Sequence, residues 1–315
     1  MCIRDRLHHA LLFEGPEHVG KRTVAERLAM AANCEGSAPR PCEHCGPCQL
    51  VLAGNHPDVW MVEPDPSKAT PVISVDQVRE VVRKVGFHRF SGKRRTVIVD
   101  PAESLGPGAA NALLKTLEEP PEGTGFILIS HRSSALLPTI ISRCQRIRFA
   151  TVPPDEILGW LESMGTGDAD ALSRACGGAP GRALALAESG LDSRQERRER
   201  LVAALRGSLA DLFKFSASTC SGSRREWLPE LKATREMVEE LLRDASLVAT
   251  GTGVSLVHAD RRDLVDEWAR KLWPTGVRRV QQALHELDKG LAVNVGGKNA
   301  LDQLLTTLRE ELGYA

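Results

Sequence analysis

Four cysteines and a glycine loop are the parts of this sequence most plainly equipped for chemistry. Cys34, Cys42, Cys45 and Cys48 follow the spacing C-x7-C-x2-C-x2-C, and four thiolates suffice for a tetrahedral Zn²⁺. The chain has eight cysteines, and the other four are scattered. In a reducing compartment such a cluster argues for metal over disulfides. A shell of four sulfurs leaves no open position, so the metal is expected to be structural. His44, wedged between Cys42 and Cys45, is the poorer ligand.

The second feature is GPEHVGKRT, Gly15–Thr23, nearly the phosphate-binding pattern G-x-x-x-x-G-K-[ST]. Gly15 and Gly20 let the backbone wrap an anion at a helix N-terminus, and Lys21 adds a positive charge. The next position should carry a hydroxyl for Mg²⁺ but holds Arg22. Thr23 comes one residue late, about 100° round a helix. Two readings stay open: residual ATP/Mg²⁺ binding, or a strand–turn–helix junction kept for packing.

These residues need a frame, and the apolar runs supply one. ALLF at Ala10–Phe13, TVIV at Thr96–Val99 and FILIS at Phe126–Ser130 read as buried parallel strands. Asp100 ends the second of these, at the carboxyl edge where open α/β sheets bind ligands. A helix is expected over Ala109–Glu119, stopped by Pro120 and Pro121. A further strand is expected at Asp58–Val62. A helix after Ile73 carries the apolar stripe Val75, Val78, Val81, Val82 and Val85. Its other side and the following loop are basic, with Arg79, Arg83, Lys84, Arg89, Lys93, Arg94 and Arg95. A solvated face is the favoured reading of that run, with phosphate contact as the alternative. RIRF, from Arg146, is the last strand, and TVPPDEI leads into a helical region. From Ser193 the pattern is purely helical, beginning with SRQERRERLVAALRGSLADLFKF as one long amphipathic helix. The fold class is therefore α/β followed by all-α.

Bulk properties narrow the classes. Forty-one basic and 41 acidic residues give zero formal net charge, so any DNA contact must come from a local patch or from partners. No apolar run approaches a membrane span and no secretory signal is visible, so the cytoplasm is expected. The opening MCIRDR resembles translated adapter sequence.

ANALLKTLEEPP and LLPTIISRC resemble the AAA+ ATPase-type core of bacterial clamp-loader subunits, and the resemblance runs from about Leu7 to Leu312. It implies an AAA+ core over residues 1–151 with a zinc module inserted at 34–48, a helical lid over 152–192, and a helical collar over 193–315. In working ATPases of the class the strand of Asp100 ends in Asp-Glu: the Asp helps hold Mg²⁺ and the Glu positions the attacking water. Here Pro101 follows Asp100, and Glu103 is expected one helical turn from the required place. Arg143, in SRC, matches the arginine that reaches the γ-phosphate held by a neighbouring subunit. Ser130 or His131 stands near the γ-phosphate sensor position. Arg182 matches the lid arginine that touches nucleotide, or else forms an interdomain salt bridge.

The resemblance implies a non-motor subunit in a heteropentamer with gamma/tau motor subunits and a clamp-opening delta subunit. That assembly would load a sliding clamp at primed DNA for a replicative polymerase. An active ATPase resembling the motor subunit is the alternative, and Arg22 and Pro101 argue against it. A free-standing zinc-containing DNA-binding protein is a third reading. Neutral charge and the lack of an aromatic stacking platform speak against that one.

Overall fold

The computed structural model describes residues 8–65, 72–86, 93–253, 256–292 and 296–314. The chain divides into two compact units, Met1–Val152 and Pro153–Ala315.

The first unit is built on five strands: β1 (Ala10–Glu14), β2 (Val59–Val62), β3 (Arg95–Val99), β4 (Thr124–Ser130) and β5 (Gln145–Arg148). They form one sheet in the order β2-β3-β4-β1-β5, and every pairing is parallel. Alternation along the strands sends side chains to both faces. Leu12, Val97, Val99, Phe126 and Leu128 join the core on one face, whereas Leu11, Phe13, Ile98, Ile127 and Ile129 join the other. A strand covered on both faces must be apolar at every position, which is why these runs read continuously and not alternately.

Helix α1 (Lys21–Asn33) sets Ala25 and Leu28 against the second of those cores. The short α2 (Gly46–Leu52) follows the cysteine loop. Helices α3 (Val75–Val85) and α4 (Pro107–Glu118) place Val78, Val85, Ala109, Leu113 and Leu117 against the first core. Ser74 caps α3 through a reciprocal bond pattern with Gln77, which satisfies N–H groups the helix cannot serve internally. Pro107 opens α4, and Pro138 opens the one-turn α5 (Pro138–Ile141), positions where a missing N–H costs nothing.

The second unit is all helical: α6 (Pro154–Ser163), α7 (Ala169–Ala175), α8 (Pro180–Ser189), α9 (Leu191–Arg206), α10 (Leu209–Thr219), α11 (Arg224–Ala249), α12 (Arg262–Leu272), α13 (Thr275–Ala292) and α14 (Gly297–Glu311). Its core gathers Leu201, Leu205, Leu241, Leu264, Trp268 and Leu304, all essentially without solvent contact. The single long helix expected from Ser193 is two. Gly207 ends α9, and Ser208 caps α10 in a box with Asp211, so local hydrogen bonding wins over a continuous apolar stripe. Among the described residues no helix is long and apolar enough to cross a membrane.

Part of the basic run is structural. Arg79, Arg83 and Lys84 are exposed on α3. Arg95 is buried and donates to Val85 O. Lys93 Nζ donates to Asn33 O at 2.9 Å and Cys34 O at 3.0 Å, and the Arg94 N–H donates to Asn33 Oδ1 at 3.1 Å. These contacts satisfy the open carbonyl end of α1, so the expected solvated face does not extend through 93–95. Arg89 lies outside the described residues.

Candidate functional site

Parallel pairing brings the carboxyl ends of β1, β3 and β4 to one edge, with β4 between the other two. The glycine loop leaves β1 there. Gly15 has φ 147°, and a Cβ at that position would fall on the Phe149 carbonyl, so only glycine fits. Gly20, at φ 94°, turns the chain into α1. Lys21 is buried and folds back over the loop, donating to Gly15 O at 2.7 Å and to Pro16 O. Burial pushes its pKa down.

Arg22 stands where a hydroxyl would be needed. Its guanidinium bonds Glu63, just beyond β2, lies 3.7 Å from Asp100 Oδ2, and meets Glu26 at 3.2 Å. Burial raises the Asp100 pKa against the pull of Arg22. Thr23 is exposed on α1.

Glu103 occupies a short turn, Ala102–Ser104, that folds it onto the end of β4. Its Oε1 accepts the His131 N–H at 3.1 Å, the Arg132 N–H at 3.2 Å and the His131 ring Nδ1 at 2.7 Å. Burial opposes the charge, but these donors prevail and hold the carboxyl at about 2. The other ring nitrogen of His131 lies 3.0 Å from Glu17 in the glycine loop. Ser130 is buried and its Oγ accepts the Arg132 N–H at 3.1 Å. Glu103 is thus committed to positioning the β4 end. Sequence reasoning missed Glu17 and Glu63 altogether; neither is marked by any spacing, because each comes from a different loop.

The four cysteines converge. Their sulfurs all lie within 4.8 Å of one another. A tetrahedral Zn²⁺ with bonds of about 2.3 Å would place sulfurs roughly 3.8 Å apart, so the residues fit that ion after a small contraction. Cys34 closes α1, Cys45 is the N-cap of α2 and Cys48 lies in its first turn. The N–H groups of Glu35 and Cys48 donate to Cys45 Sγ, and Cys34 and Cys48 pack with Met30 and Val51. Among the described residues His44 is exposed and outside the cluster.

Arg143 lies elsewhere. Leu11 pairs with Gln145, so Arg143 is level with His9, six residues before Gly15 along β1. At about 3.3 Å per residue that is roughly 20 Å, at the opposite edge of the sheet from the glycine loop. Its Nε donates to Glu118 Oε1 at 2.6 Å and its Nη1 to Thr139 O at 2.7 Å, with Nη2 also on Glu118. It opens onto a groove of about 570 Å³ shared with His8, His9, Leu117 and Cys144.

Arg182, on α8, is paired within the second unit. It bonds Glu240 and lies 3.6 Å from Glu236. Glu240 also takes Arg194 of α9 at 2.5 Å.

A parallel sheet with a glycine loop after β1 and an acidic residue after β3, two strands away, defines an α/β domain of the P-loop type. Residues 1–153 match the family model described as "DNA polymerase III, delta subunit". The relatives are named alike. The chain is 47% identical over 137 residues to DNA polymerase III subunit delta' of Pseudomonas aeruginosa, covering 43% of this chain and 41% of the relative. It is 40% identical over 186 residues to subunit delta' of Escherichia coli, covering 58% and 55%. It is also similar to subunit tau of Bacillus subtilis, 36% identical over 163 residues, covering 51% of this chain and 28% of that one. The chain spans about half the length of the delta-prime relatives it matches.

Proposed function

We propose that this chain is the non-motor, delta-prime subunit of a DNA polymerase III clamp loader, donating Arg143 to an ATP site on a neighbouring subunit. The observation that carries the proposal is the separation of Arg143 from the chain's own glycine loop. A guanidinium at the opposite sheet edge has no route to a phosphate on the same chain, whereas a neighbour's phosphate can approach it from outside. Arg143 rests on Glu118 in an exposed ion pair, and such pairs are held by about 0–1 kcal/mol, so an arriving phosphate can take over the fork. The guanidinium would then neutralise charge developing on the transferred phosphoryl group.

The chain's own loop is unsuited to the same chemistry. Arg22 offers no hydroxyl, Pro101 no carboxylate, and Glu103 is tied to His131. Gly15, Gly20, Lys21, Thr23 and Asp100 are read as a scaffold that keeps the shape of a nucleotide site. The partners would be gamma/tau and delta subunits, with sliding clamp and primed DNA engaged through the assembly. The lid over 152–192 and the collar over 193–315 would serve that assembly, with Arg182 an anchor between them.

Cys34, Cys42, Cys45 and Cys48 would hold Zn²⁺, the ion that four thiolates in a closed shell favour. It would supply cross-linking between the end of α1 and the start of α2.

Arg143→Ala in the reconstituted loader is the test. ATP turnover should fall, within the roughly 10³–10⁵-fold that such an arginine supplies at a single site in the strongest cases, while the isolated variant stays folded. Unchanged turnover removes the assignment.

A further inference from the structure

We infer that Arg22 is a resident cation standing in for a divalent metal, so that the acidic edge of this sheet takes no Mg²⁺. The inference concerns the chain's own loop. It rests on the reading of that loop as a nucleotide-site scaffold but not on the role of Arg143.

In a working site of this class, Mg²⁺ is held by the hydroxyl at position 22 and by the carboxylate at the end of the acidic strand, two positions across the sheet. This chain keeps the carboxylate and loses the hydroxyl. In its place the Arg22 guanidinium bonds Glu63 and lies 3.7 Å from Asp100 Oδ2. Glu63 follows β2, Asp100 follows β3, and Arg22 begins the second position of α1. One side chain on α1 therefore draws together acids that follow two strands. Glu26, one turn along α1, adds a contact at 3.2 Å that steadies the side chain.

Lys21 does not do this work. Its ammonium is spent on the carbonyls of Gly15 and Pro16. Without Arg22, Glu63 and Asp100 would face each other with no cation in direct contact among the described residues. Nearby like charges disfavour each other's ionisation, as the Glu63 charge already does at Asp100, and a divalent ion is the simplest remedy. Bound Mg²⁺ and a guanidinium cannot both occupy the space, so the arginine excludes the metal.

The test uses Mn²⁺ alone, with the full chain and no partner subunits, read by the loss of the free-ion electron paramagnetic resonance signal. The zinc sites are filled beforehand. Wild type should bind no Mn²⁺ that Asp100→Asn removes. Arg22→Ser should bind one more ion per chain than wild type, and Arg22→Ser combined with Asp100→Asn should lose it. Arg22→Lys, which keeps a charge but loses the fork, should stay close to wild type. Circular dichroism shows whether each variant is folded, and Arg22→Thr serves where the serine variant is not. Two results overturn the inference: Mn²⁺ on wild type that Asp100→Asn abolishes, or no gain of Mn²⁺ in a folded Arg22→Ser or Arg22→Thr chain. Neither touches Arg143, whose role fails only in the assembled loader.

Discussion

Glu103 offers the most quantitative check on how the acidic edge is held. Its side chain is only 4% exposed, and Oε1 accepts two backbone N–H groups and the His131 ring. Oε2 is buried without a partner among the described residues, so the carboxylate keeps its charge against a real desolvation cost. Its pKa falls from 4.5 to about 2. At about 1.4 kcal/mol per pKa unit, the charged form contributes up to about 3 kcal/mol to the first unit. Because the folded value lies below the unfolded one, that contribution is complete above roughly pH 5 and is lost as the pH falls toward about 2. Glu103→Gln keeps the shape and an acceptor but removes the charge. At pH 7 it should lower hydrogen-exchange protection of the β3 and β4 amides by up to about a hundredfold, the exchange equivalent of that energy. The gap between variant and wild type should narrow through the acid range. Equal protection at pH 7, or a gap that does not change with pH, would refute the reasoning.

Three further outcomes are expected. Replacing Cys45 and Cys48 together by Ser should release metal and destabilise the first unit, because binding and folding are coupled; metal analysis of the native chain should find about one zinc per chain. Glu240→Ala should destabilise the second unit by up to about 3 kcal/mol, the cost of leaving a largely buried charge unpaired, since it strips the acid from Arg194 and leaves Arg182 only Glu236; urea unfolding followed by circular dichroism reads it. Arg143→Ala should by contrast leave thermal unfolding of the isolated chain nearly unchanged, because its pair with Glu118 is exposed.

The chemistry-bearing residues were legible because their signals are local. Strand runs bounded by Gly15 and Asp100 announce a parallel sheet, since burial on both faces demands apolar side chains at every position. The thiolate cluster shows in spacing alone, because α1, a short loop and α2 carry all four sulfurs. The break at Gly207 went unread: Ser208 and Asp211 form the capping box, but the amphipathic stripe on both sides of it hid the signal. Residues 93–95 misled because a basic run looks solvated until the open end of α1 is placed beside it.

By itself the sequence determined which atoms are available: a lysine without a hydroxyl after it, an aspartate without a glutamate after it, four sulfurs and an arginine before the last strand. Which of them meet is a matter of register and strand order. Parallel pairing of β1 with β5 sets Arg143 about 20 Å from the loop it might have served. A tight turn swings Glu103 onto His131, and the gathering of three chain segments puts Arg22 between Glu63 and Asp100. Those separations run through contacts between residues far apart in the chain, and no local pattern encodes them.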